Sequence, residues 1–205
     1  MQLYIAKDHI EGGGLVENLT VIILIPGILT GLYTFLKYKS AMKPSWTAHW
    51  LLMWILACTY FAGEEASWGQ WFFEWETPAV FSQVNDQNET NLHNTSTWLD
   101  QKPRTLVELW ILITGLIFPL IHFFKKQTNL YRDWKYWIHP IPSLFTAALF
   151  FTSIRFAGWL GQGDLKILYG SSEFREFSIA LFLSLFLLSY FIRLRVIANL
   201  QHNNN

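Results

Sequence analysis

Two adjacent carboxylates, Glu64 and Glu65, interrupt an oily stretch that reads CTYFAGEEASWGQWFFEW over residues 58–75. An ionised carboxylate in hydrocarbon is costly, so such groups face a bundle interior or a watery cavity and carry a partner. Glu89 and His93 lie four apart in NDQNETNLHN, one face of a helical turn. Glu173 and Glu176 lie three apart in SSEFREF. Carboxylate oxygens with an imidazole suit zinc, iron or manganese. A metal-bound water with a spare carboxylate as general base then points to hydrolytic or oxidative chemistry. On this reading Glu65, Glu89, His93, Glu173 and Glu176 are candidate ligands to a divalent metal, and Glu64, Glu65 and Glu176 are candidate catalytic groups.

The pattern departs from the paired Glu-x-x-His motifs of di-metal carboxylate bundles. Here the spacing is Glu-x-x-x-His and occurs once, which leaves one-metal and two-metal hydrolytic sites equally open. Arg155 is the expected charge partner for Glu173 or Glu176, and Glu108 stands close enough in the pattern to join them. Asn91, Asn94, Trp68 and Gln70 are the expected supporting contacts. Each carboxylate also has a plain structural explanation: Glu173, for example, suits the first turn of a helix capped by Ser171 or Ser172. Neighbouring residues on a helix diverge by about 100°, so Glu64 and Glu65 cannot both face the same way.

The elements that hold these groups are membrane helices. Of the 205 residues, 52% are hydrophobic and 15% charged, against about 25% charged in soluble domains. Apolar runs approach the roughly 20 residues that cross a bilayer at about 16–36, 47–73, 105–124, 137–159 and 174–195. The fold class expected is therefore all-α: a single polytopic bundle over 1–205 with about five transmembrane helices and an outer loop at about 74–104. The second run is too long for one span and should divide into a membrane helix and an aromatic, interfacial continuation. Trp68, Trp71, Trp75, Trp98, Trp134 and Trp137 read as interfacial belts.

Lys and Arg favour the cytoplasmic side. Nine of the fifteen basic residues fall in the 37–46 loop, the 125–136 loop and a tail beginning at Arg193, whereas fourteen of the fifteen acids fall on the opposite side. The N-terminus is thus expected outside and the C-terminus inside. Zero net charge offers no basic surface for nucleic acid. The one cysteine, Cys58, can form no intrachain disulfide.

Two blocks, Gly63-Glu64-Glu65 with Ser67-Trp68-Gly69-Gln70, and Glu89 with Asn91, His93 and Asn94, resemble a pattern in a family of uncharacterised bacterial multi-pass inner-membrane proteins. Trp71 stands where that pattern often has arginine. The resemblance spans about 32 residues; it implies a bacterial inner-membrane location and transfers no catalytic role.

Three functional readings follow. One is a metal-dependent enzyme acting on a lipid or lipid-linked substrate at the outer leaflet. A second is a non-catalytic subunit or scaffold with membrane protein partners, in which the polar groups tie the long loop to the helices. The third is a transporter or ion pathway, which requires ionisable groups at several depths, whereas the acids here gather at one end.

Overall fold

The structure is a computed structural model describing residues 14–83, 90–92, 95–123, 134–160 and 172–202. All regular elements among the described residues are helical. Helix α1 is Leu15–Tyr38, α2 Trp46–Glu65, α3 Gln70–Phe73, α4 Ala79–Ser82, α5 Thr97–Trp110, α6 Phe118–Phe123, α7 Trp134–Ile138, α8 Phe145–Leu160 and α9 Ser172–His202. A π-helical segment, Ile111–Ile117, joins α5 to α6, and 3-10 turns precede α3 and α8.

Four stretches are long and apolar enough to cross a membrane: Leu15–Tyr38, Gln101–Ile121, Tyr136–Trp159 and Glu173–Ile197. They match the expected first, third, fourth and fifth spans to within a few residues. The expected second run divides at Ala66, where α2 ends and a 3-10 turn leads into short α3.

Helix α9 is the centre of the bundle. Of its most apolar stretch 67% is buried, against 22% to 28% in the other three. Its Phe182, Phe186, Leu187 and Tyr190 are fully enclosed. The approach of α1 is set by small residues: a Cβ at Gly27 would stand 2.7 Å from the Cα of Ser184, and one at Gly31 would stand 3.0 Å from Ile55 of α2. Thr20, Leu24, Gly27, Gly31 and Thr34 form the buried stripe of α1, while Ile22, Leu29 and Leu36 on its other side are exposed. Small residues spaced four apart let backbones meet closely, the usual solution where lipid is as apolar as the helix surface. Gly115 in the π-helical segment plays the same part, its Cβ position 2.9 Å from Ala148 and Phe182.

An aromatic core ties α2 and α5 to α9. The rings of Trp54 and Trp110 lie 4.4 Å apart, and Trp110 meets Phe186 edge-on at 4.9 Å. At the far end of the bundle Arg193 is buried at 2% exposure. Its guanidinium donates to the carbonyl oxygens of Tyr136 and, at 2.8 Å, His139, and the Tyr190 hydroxyl donates to that of Trp137. These carbonyls lie at the end of α7, just before Pro140, where helical partners run out.

Three expectations change. The outer loop of 74–104 is shortened, because α5 begins at Thr97 and carries Pro103 inside it; the polar residues of that first stretch disguise it. Arg193 and Arg195 belong to a helix that runs to His202 and do not open a tail. Trp137, expected in an interfacial belt, is 1% exposed and sits in the core, whereas Trp68, Trp98 and Trp134 are exposed.

Candidate functional site

The chain reverses sharply after Glu65. Ser67, Trp68 and Gly69 take consecutive positive φ values of 44°, 55° and 96°, which only Gly69 adopts without steric cost. The turn folds the Trp68 indole back over α2: a Cβ on Gly63 would come 2.7 Å from that ring. In this position Trp68 Nε1 donates to Glu64 Oε1 at 2.7 Å. The other carboxylate oxygen of Glu64 accepts the backbone N–H of Leu92 at 2.7 Å.

Gln70 repeats the device. Its Oε1 accepts the backbone N–H of Thr90 at 2.7 Å, and its Nε2 donates to Thr77 Oγ1 at 2.8 Å. The end of α2 and segment 90–92 thus meet as one unit, in which the segment is hung from the side chains of Glu64 and Gln70. Asn91, between the two bonded amides, is 1% exposed.

Beside this unit lies a cavity of about 180 Å³ between α2, α5 and α9. Apolar residues Trp54, Phe61, Val107, Ile179 and Leu183 make most of its wall, and Glu64, Glu65, Arg104 and Glu176 supply its charged groups. Ala57, Tyr60 and Pro103, which also line it, are exposed and mark its open side. Arg104 forms a salt bridge with Glu176, both largely sheltered.

A second ionic group spans three helices behind it. Glu108, 7% exposed, faces Arg155 of α8 and Arg175 of α9, each at 3.3 Å. Arg155 therefore serves Glu108, where Glu173 or Glu176 was expected, and Glu176 takes Arg104 instead. With α5 beginning at Thr97, Glu108 stands about three turns into its helix, deeper than the sequence suggested. Glu173 is placed beside Gly14 at the start of α1, a Cβ there lying 3.9 Å from its Oε2, and does not line the cavity.

Of the expected site residues, Glu64, Glu65 and Glu176 come together around one cavity; Glu89, His93 and Asn94 lie outside the described residues. Among the described residues no group of three or more His, Cys, Asp and Glu side chains is placed to hold a metal ion. The carboxylates at the cavity answer to other partners, Glu64 to Trp68 and Leu92 and Glu176 to Arg104. The metal centre that the sequence pattern suggested includes Glu89 and His93, which lie outside the described residues.

Arg104 was missed by sequence reasoning because Lys102-Pro103-Arg104 looks like a loop. Its position four residues before Glu108 was the available signal. The chain matches no family model, no curated protein and no solved structure.

Proposed function

We propose that this is a multi-pass protein of a bacterial inner membrane that binds a lipid-like amphiphile in the cavity between α2, α5 and α9. The single observation that carries the reading is the cavity's build: apolar walls, a charged group of side chains from three helices, and an open side of Ala57, Tyr60 and Pro103. Convergent polar groups in an otherwise apolar concavity are the usual form of a small-molecule site.

In this reading α2 is a fifth crossing. Its 20 residues, at about 1.5 Å each, reach roughly the 30 Å of a hydrocarbon core. The N-terminus is outside, which puts the acidic end of the bundle at the outer leaflet, and the resemblance of the 63–70 and 89–94 blocks supports the bacterial location. Glu64 and Gln70 have a structural role, holding segment 90–92 through the Leu92 and Thr90 amides. Glu65 and the Arg104–Glu176 pair line the cavity and, on this reading, orient the ligand.

The test is co-purification. Protein extracted with native lipid and examined by native mass spectrometry should retain bound lipid after delipidating washes. Ala57→Trp, which fills the open side from an exposed position, should lower retention at least tenfold without lowering the melting temperature. Equal retention by parent and variant sinks the proposal.

A further inference from the structure

We infer that Arg155 holds the phosphate of an anionic phospholipid on the lipid-facing side of α8. Arg155 does not line the cavity between α2, α5 and α9, so this contact stands or falls independently of the amphiphile reading.

Position carries the first part. Arg155 lies near the end of a stretch apolar enough to cross a membrane, Tyr136–Trp159, yet its side chain is 49% exposed. Its companions on that surface are apolar: Phe156 and Trp159 are both exposed, with rings 6.0 Å apart. Trp159 is the last residue but one of α8, where an exposed indole belongs at the membrane interface. Arg155 stands one turn, about 6 Å, before it on the same helix face. From there a long alkyl stem lying along apolar surface carries the guanidinium to the head groups.

Pairing carries the second part. Glu108, 7% exposed, stands between two arginines, its Oε2 3.3 Å from Arg155 Nε and its Oε1 3.3 Å from Arg175 Nε. One carboxylate thus serves two cations. Arg104 and Glu176, which also act on Arg175, bring one charge of each sign. Arg155 approaches Glu108 at Nε, and among the described residues its Nη1 and Nη2 donate no hydrogen bond. A planar fork of this kind fits two phosphate oxygens at once. The lipid class follows from charge. A zwitterionic lipid answers its phosphate with its own ammonium, whereas an anionic one brings an unanswered negative charge to two arginines that share one acid. The exposed rings of Phe156 and Trp159 give the attached acyl chains an apolar surface, which a free phosphate ion could not use.

The experiment is a lipid titration of the full-length protein by native mass spectrometry, with phosphatidylglycerol and phosphatidylcholine of identical acyl chains. The parent should bind the anionic lipid about fivefold more tightly, equivalent to about 1 kcal/mol, and Arg155→Gln should bring the two lipids level. Arg155→Lys keeps the charge beside Glu108, and with it the fold, but lacks the fork, and should lose much of the preference. An undiminished preference in both variants, or no preference in the parent, overturns the assignment. Arg195→Gln removes an exposed charge from the far part of α9 and should leave the preference at the parent's level; an equal loss there makes overall charge the cause and overturns the site. Ala57→Trp should also keep the preference, and its loss would place the anionic lipid in the cavity instead. Excess inorganic phosphate should leave the lipid bound; displacement would make this an ion site and refute the lipid contact.

Discussion

Glu64→Ala should release segment 90–92 while the helices stay folded. The carboxylate accepts hydrogen bonds from Trp68 Nε1 and from the Leu92 amide, both at 2.7 Å. Bonds to a charged group contribute about 1.5–3 kcal/mol each when the freed partner stays buried. Here the partners do not: Trp68 is 47% and Leu92 42% exposed, so both donors regain water. Removing the carboxylate also lifts the cost of burying a charge at 3% exposure. These discounts leave about 2 kcal/mol for the local closure, which at 1.4 kcal/mol per decade is about a thirtyfold rise in the open population. Hydrogen exchange in detergent or nanodiscs reads this at the Thr90 and Leu92 amides. Leu92 should lose most of its protection, Thr90 less because Gln70 still holds it, and amides in α9 should be unchanged. Glu64→Gln, which keeps one acceptor oxygen, should fall between. Leu92 protection within twofold of the parent in Glu64→Ala would refute the assignment of Glu64 as the clamp.

Two further substitutions probe the packing. Gly27→Leu places a side chain where even a Cβ meets the Ser184 backbone at 2.7 Å; α1 must part from α9, at a cost of about 3 kcal/mol by the behaviour of overpacked cores, seen as a lower melting temperature and easier proteolysis of α1. Arg193→Met keeps much of the volume but removes the donors to the carbonyls of Tyr136 and His139, costing about 2 kcal/mol for two part-buried acceptors; thermal unfolding should show the loss, and Arg193→Lys should recover only part of it because one ammonium lacks the planar fork.

The helices were legible because their cue is one-dimensional: a run of apolar residues long enough to cross hydrocarbon needs no knowledge of its neighbours. The cue failed where helix continued into polar sequence. Thr97–Arg104 carries Asp100, Lys102, Pro103 and Arg104, yet it is helical because tertiary partners, such as Glu176 for Arg104, stabilise what composition does not. Pairings were legible only as classes. That Glu108, Glu176 and Arg155 would gather followed from their being charged at one end of an apolar bundle; which met which depended on helix rotation, which sets Arg155 on Glu108 and Arg104 on Glu176. The inward turn of Trp137 and Arg193 was hidden for the same reason, since aromatic and basic residues near a helix end read as interfacial whichever way they point.

The adjacent carboxylates that opened the question divide the work between them. Glu64 is 3% exposed and ties Trp68 and Leu92 to the end of α2, so its charge is part of how the turn closes. Glu65, about 100° further round the helix, lines the cavity and is half-buried. Both carboxylates line the cavity, so the end of α2 that the clamp fixes is part of its wall. A shared apolar cavity couples the two roles in one direction only. Loosening the clamp with Glu64→Ala should weaken lipid retention and Leu92 protection together, because the end of α2 is part of the wall, whereas Glu65→Gln should weaken retention and leave Leu92 protection at the parent's level. If both substitutions produced the same pair of effects, the two carboxylates would be one polar cluster with one role, and the separation of clamp from binding group would be wrong.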